Sequence, residues 1–307
     1  MSRAKKIRVL LPIVIVCFLF AYADHKYEQK HTAITGHLQG KQLDEISGIA
    51  ASGINNNVYY IHNDSGDTSR FFAITPAGNV LSTIYFKGDP YERRFGVHDC
   101  EDIAVGPGPV KGKSYVYLGD IGDNNSTRPY ITVYRMEEQK NWSKDSITTT
   151  PAAPVHFKYP DGPKDAETLM IDPIEKLICI VSKRKDSVTV YTSPLNYKVN
   201  DTLLLTKRCK LYFKGFPPFK WITAGDISKD GQQVLLKNYV KVFYWKRIDN
   251  EPIWKTLQRK PEELPYEEEK QGEAIGFTPD GKGYYTTSEG IAAPIYYYSI
   301  PAQPAAH

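Results

Sequence analysis

The chain has 307 residues, 41% of them hydrophobic, enough for a substantial core and a length that all-β barrels and propellers reach as one domain. Its formal charge of +4 comes entirely from Arg3, Lys5, Lys6 and Arg8; beyond them basic and acidic residues balance, which excludes the basic excess of a nucleic-acid binder. The 22 tyrosines, with 22 glycines and 21 prolines, favour strands joined by turns.

The N-terminus reads as a targeting segment. A positively charged start is followed by an almost unbroken apolar run, Val9 to Tyr22, and then by the small-x-small pattern Ala21-Tyr22-Ala23. This predicts a signal peptide over residues 1–23 with cleavage before Asp24. The run is short for a membrane span, which needs about 17–25 residues; an uncleaved anchor is the alternative. The expected destination is outside the cytoplasm: secreted, periplasmic or at the cell surface. Cys100, Cys179 and Cys209 then remain, an odd number and no disulfide framework. Cys179, inside the apolar run Leu177–Val181, is expected in the core, with a Cys179–Cys209 bridge left open.

Beyond the leader, Thr32–Leu38 is strand-like, and five similar segments follow. They open at Ser47-Gly-Ile-Ala, Glu101-Asp-Ile-Ala, Glu167-Thr-Leu-Met, Gly225-Asp-Ile-Ser and Glu273-Ala-Ile-Gly. After each comes a turn rich in Gly, Pro, Asn or Asp, then a second apolar run: Val58–His62, Tyr115–Leu118, Leu177–Val181, Gln233–Leu236 and Gly283–Thr286. A polar loop and a third run complete the unit: Arg70–Ile74, Ile131–Arg135, Val188–Thr192, Val242–Trp245 and Ile295–Ser299. Strand, turn, strand, loop, strand at this period predicts an all-β propeller of five blades over residues 32–300, followed by a short tail, 301–307. The last repeat stops after its third strand, so residues 32–38 are expected to supply its fourth and close the ring. A sixth blade would need a hidden unit, for which only the long second interval has slack. Glu262–Lys270 reads as a solvated loop between blades.

In such a blade the first strand lies innermost and the second returns beside it. The start of the first and the end of the second therefore share one face. Asp99 and Glu101, Asp165 and Glu167, and Glu273 are thereby expected around one channel mouth, with Asp64, Asp120 and Glu289 at its rim. Crowded carboxylates must raise some pKa values, pair with cations or bind a metal. Lys183, Arg184 and Lys237 are the candidate partners for an anionic ligand, with Arg128, Arg70 and His62 nearby. An oxygen-rich ring of this kind suits Ca²⁺, with six to eight oxygen ligands. Internal ion pairing to Lys183 or Lys237, and turns built by the Asp and Asn side chains, are the plainer readings.

The run from Glu273 to Glu289, Glu-Ala-Ile-Gly-Phe-Thr-Pro-Asp-Gly-Lys-Gly-Tyr-Tyr-Thr-Thr-Ser-Glu, resembles the repeat of the phytase-like and SdiA-regulated propellers. Ser47–Ala50 followed by Tyr59–Ser65 is similar to the opening repeat of that group. His62-Asn-Asp-Ser-Gly, Gly119-Asp-Ile-Gly-Asp-Asn, Tyr159-Pro-Asp-Gly-Pro-Lys-Asp-Ala-Glu, Ser182-Lys-Arg and Thr287-Ser-Glu-Gly resemble a group of uncharacterised bacterial secreted propellers. The phytase likeness implies Ca²⁺ in the channel and phosphate-ester hydrolysis by a metal-activated water. Those enzymes are generally six-bladed, and their cationic phosphate-binding set has no clear match here.

Two functions of different class follow. One is a Ca²⁺-dependent hydrolase of an anionic small molecule such as a phosphate ester, with Glu101, Glu167 and Glu273 on the metal. The other is a non-catalytic extracellular module that binds a glycan or a protein. A carboxylate-pair glycosidase ranks below both, for want of its local motifs. The expected form is a monomer, in contact with a membrane only through an uncleaved leader.

Overall fold

A computed structural model describes residues 32–89, 96–184 and 187–301; the proposed leader lies outside these residues. Strand β1 (Thr32–His37) comes first, and five blades follow. The first blade is β2 (Ile46–Ala51), β3 (Tyr59–Asn63), β4 (Arg70–Ile74) and β5 (Val80–Phe86). The second is β6 (Cys100–Pro107), β7 (Ser114–Asp120) and β8 (Ile131–Glu137), then, after β9 (Ser146–Thr150), β10 (Ala153–Lys158). The third is β11 (Ala166–Asp172), β12 (Leu177–Ser182) and β13 (Val188–Pro194), then, after β14 (Thr202–Leu204), β15 (Thr206–Leu211). The fourth is β16 (Ile222–Ile227), β17 (Gln233–Asn238) and β18 (Val242–Lys246), then, after helix α1 (Ile253–Gln258), β19 (Glu262–Leu264). The fifth is β20 (Ala274–Phe277), β21 (Gly283–Thr287) and β22 (Pro294–Ser299).

Within each blade these four strands pair antiparallel from the channel outward, which makes the protein a five-bladed β-propeller. The predicted second and third strands agree with the observed ones to within two residues. Strand β1 pairs antiparallel with β22 and closes the ring as expected. Closure requires a glycine: a Cβ on Gly36 would lie 2.2 Å from the Ala77 carbonyl oxygen, where the turn after β4 crosses β1. Thr35 Oγ1 donates to the Pro76 carbonyl there at 2.8 Å.

The core is distributed rather than central. Each blade is apolar on both faces, so runs such as Leu177–Val181 are buried continuously instead of alternating. Five hydrophobic clusters result, one per blade interface. Val133, Val155 and Phe157 meet Ile171, Ile178 and Tyr191 between the second and third blades, and Ala224, Leu235 and Val242 meet Ile275, Phe277 and Tyr284 between the fourth and fifth. Cys100, Cys179 and Cys209 are buried free thiols, the last two in the cluster between the third and fourth blades.

The outer edges of the first three blades, which would otherwise invite strand addition, are covered by the connection before the next blade's fourth strand. Strand β9 pairs parallel with β5, and β14 with β10. Helix α1 packs against β15 at the corresponding place. The segment 262–270 departs from its predicted character as a solvated loop. Glu262–Leu264 forms the outermost strand of the fourth blade, and both carboxylate oxygens of Glu269 are buried. The interface between the third and fourth blades holds a two-pronged ion pair, Arg247 Nη1 to Asp172 Oδ1 at 2.9 Å and Nη2 to Oδ2 at 2.7 Å. Both side chains are fully buried.

Candidate functional site

The inner strands share an irregularity that aims the candidate site. In β2, β6, β11 and β16 the pairing register slips by one residue, between Ile46 and Gly48, Cys100 and Asp102, Ala166 and Thr168, and Ile222 and Ala224. The extra residues are Ser47, Glu101, Glu167 and Thr223. Glu273 stands at the same level, just before the Ala274–Thr287 pair. A bulge leaves its residue without a ladder partner and redirects the side chain, here four times around one channel. The fourth repeat therefore starts two residues earlier than the Gly225 alignment predicts. Thr223 takes the place that glutamate holds in three other blades. Gly225-Asp-Ile imitated Glu101-Asp-Ile closely enough to mislead, and only the strand pairing separates them.

Seven carboxylates converge at this level in three overlapping groups: Asp64, Glu273 and Glu289; Asp64, Asp99 and Glu101; Glu101, Asp165 and Glu167. Within each group one oxygen per residue lies within 4.8 Å of the others. Around a Ca²⁺ ion at about 2.3–2.6 Å from each ligand, oxygens can lie no farther apart than about that distance. The donor set thus fits such an ion in chemistry and in span. Gly122 makes room: a Cβ there would lie 2.2 Å from Glu101 Oε1 and 2.5 Å from Asp99 Oδ2.

The electrostatics follow from burial and crowding. Burial first, then Glu167, Asp64 and Asp99, hold Glu101 well above the usual carboxylate range. Glu167 is likewise raised by burial, against the pull of Lys183. Burial and Asp99 push Asp64 up to about 7, and burial with Glu273 and Glu45 pushes Glu289 up to about 7. Lys183 is the internal counter-charge. Its ammonium donates to Glu167 Oε1 and lies 3.7 Å from Glu273 Oε1. Burial opposes its charge, but Glu167 and Glu273 carry its pKa net upward. Arg184 donates to Asp165 and Asn124, with its guanidinium 4.9 Å from the Trp221 ring centre. Tyr239 donates to Glu273. Glu167 Oε2 is buried without a hydrogen-bond partner.

Other sequence candidates lie elsewhere. Asp120 is outside these groups: its carboxylate accepts from the His98 and Asp99 backbone N–H groups at 2.9 and 3.1 Å and pairs with Arg128 at 2.7 Å. Arg128 also donates to the Gly122 carbonyl at 2.8 Å, so the two fasten the loop after β7. Arg70 pairs with Asp67 at 2.8 Å, three residues away in sequence. The ammonium of Lys237 has no solvent access; it donates to the Gly272 carbonyl and sits 4.9 Å from the Tyr266 ring centre. Burial lowers it to about 8, with Glu269 and Glu273 opposing. His62 is buried; its Nδ1 lies 2.8 Å from the Asn63 carbonyl oxygen, and its Nε2 has no partner. Burial lowers its pKa to about 4, so the ring is neutral at pH 7. Asp99 and Asp165 enter the groups in the role expected of Asp120. Tyr239 and Trp221 carried no signal in the sequence, because their loops belong to no repeat motif.

Beside the mouth a polar cavity of about 520 Å³ is lined by Ser65, His98, Asp99, Asn124, Asn125 and Thr127, among others. A second cavity, about 470 Å³, opens at the opposite end of the channel, where Val105, Ile171 and Phe277 form apolar walls with Asp226. Of the clustered carboxylates, Asp99 lines the first.

No family model and no curated protein matches this chain. Among solved structures it is similar to the Dos1 propeller, at 13% identity and a TM-score of 0.37, over 82% of this chain and 68% of that one. The assignment as a five-bladed propeller rests on the sheets themselves.

Proposed function

We propose that the channel mouth holds a divalent cation of the Ca²⁺ class and presents it to an anionic small molecule, such as a phosphate ester or an acidic glycan. The observation that carries this reading is the triad Glu101, Asp165 and Glu167, all buried, with Glu167 Oε2 lacking any hydrogen-bond donor. A buried carboxylate oxygen without a partner is costly, and a cation would relieve it. Glu101, Asp165 and Glu167, or Asp64, Asp99 and Glu101, would be the ligands. The bound ion would supply positive charge against the phosphoryl or carboxylate group and lower the pKa of a bound water. The amides of Asn124 and Asn125, in the lining of the adjoining cavity, would orient the anion there. The likeness to phytase-type repeats agrees with this chemistry but rests on analogy. The leader-like N-terminus supports action outside the cytoplasm, where free Ca²⁺ is plentiful; we take the protein to be a monomer.

The test is isothermal titration of the EDTA-treated protein with Ca²⁺, beside Glu101→Gln and Glu167→Gln. Binding by the wild type and its loss in both variants is expected. No binding by a folded wild type at millimolar Ca²⁺ overturns the reading. Phosphatase and lactonase panels with and without Ca²⁺ then separate a hydrolase from a non-catalytic binding module.

A further inference from the structure

Between Asp201 and Asp226 the chain carries Lys207, Arg208, Lys210, Lys214 and Lys220 and no acid, interleaved with Tyr212, Phe213, Phe216, Phe219 and Trp221. In the fold this stretch is β15 and the loop that leads to β16. Its base is fixed. Cys209, Leu211 and Phe213 are buried, and Phe213 packs on Phe243 with ring centres 4.6 Å apart. The Trp221 ring lies under the Arg184 guanidinium, and the Trp221 backbone N–H closes a turn onto the Pro218 carbonyl at 2.9 Å. From this anchored base three aromatic rings project into solvent, with Tyr212 71% exposed, Phe216 84% and Phe219 55%. Lys210 and Lys214 are exposed beside them.

We propose that residues 207–221 form a docking element for an anionic membrane surface. Exposed aromatic rings flanked by lysines match the two layers of a bilayer interface, with rings at the acyl boundary and ammonium groups among acidic headgroups. The shape favours a lipid surface over a peptide. Phe216 and Phe219 stand on a projecting loop and line neither of the cavities described above, whereas a peptide needs a groove to bury its anchors. The nearest groove, about 630 Å³ between the third and fourth blades, takes Tyr212 and Phe213 but neither of those two rings. Since Arg184 joins Trp221 to Asp165, a docked bilayer lies beside the acidic mouth. The element is independent of any cation bound there.

The test uses the full-length protein in EDTA, so that a failure here is separate from a failure of the Ca²⁺ reading. It is mixed with vesicles of phosphatidylcholine, with or without phosphatidylglycerol, carrying brominated acyl chains. Residues 9–22 could hold the chain to either vesicle, so the readout is quenching of Trp221 fluorescence, identified as the component missing in Trp221→Phe. Quenching is expected on the phosphatidylglycerol vesicles, with affinity about tenfold or more weaker without the anionic lipid or after Lys210→Glu with Lys214→Glu. Phe216→Ser with Phe219→Ser, which alters only exposed side chains, is expected to abolish it with the melting temperature unchanged. Absence of Trp221 quenching in wild type, whether or not the chain is bound, overturns the proposal. So does retention by soluble polyanions such as heparin together with indifference to lipid charge, which would assign the segment to a macromolecular polyanion.

Discussion

Replacing Lys183 by methionine removes the counter-charge of the mouth and keeps the apolar stem. The ammonium donates to Glu167 and stands 3.7 Å from Glu273; at an effective dielectric of about 20 a pair at that distance is worth about 4 kcal/mol before desolvation. Losing one partner of a buried pair costs about 3–5 kcal/mol, because the remaining charge is left uncompensated. That cost depends on pH with a definite sign. Asp64, Asp99, Glu101, Glu167 and Glu289 already have folded-state pKa values above their unfolded ones, with Asp64 and Glu289 at about 7, so the folded chain holds more protons and loses stability as pH rises from about 4 through 7. Without Lys183 these values rise further and the slope steepens. Urea denaturation should therefore show the full loss at pH 8 and much less at pH 5, where Asp64 and Glu289 are protonated. Ca²⁺ at a hundredfold excess over its dissociation constant should return about 2.7 kcal/mol at pH 8, and more tightly than in wild type, since the ammonium no longer competes. An equal loss at both pH values, with no recovery in Ca²⁺, would refute the assignment of Lys183 as the site's internal cation.

Cation affinity should itself rise with pH. Glu101, common to both proposed ligand sets, is held well above the usual carboxylate range and Asp64 titrates near 7; each must shed its proton to become a ligand, so calorimetry should find binding about tenfold or more tighter at pH 8 than at pH 6, and a flat profile would place the ion away from both groups. Elsewhere, Arg247→Met should cost about 3–5 kcal/mol by stranding Asp172 between the third and fourth blades, and adding Asp172→Asn should recover much of it. Additive losses in the two variants, measured by urea denaturation, would mean the pair is not coupled as its geometry implies.

The repeat pattern and the place of ring closure were legible in the sequence because both are local. A blade strand buried on two faces is a short apolar run between turn residues, and a final repeat lacking its fourth strand leaves one position for Thr32–His37. The convergence of Glu101, Glu167 and Glu273 was legible for the same reason: topology alone puts the first strand's start and the second strand's end on one face. What tertiary structure decided is where each charged side chain points. The bulges put Thr223, not Gly225, on the channel level, and no residue preference marks a one-residue slip in pairing. Lys237 and Lys183 both sit near the ends of second strands, the one on the last residue but one of β17 and the other just past β12. Yet one is enclosed against Gly272 and Tyr266 while the other reaches the mouth, because the neighbouring blade sets the space available to each. Asp120 was exchanged for Asp99 and Asp165 on the same ground, since its oxygens were already taken by backbone N–H groups and Arg128. Burial and partners are properties of the assembled ring, and they turn a set of acidic residues read from the sequence into a site with a definite counter-charge.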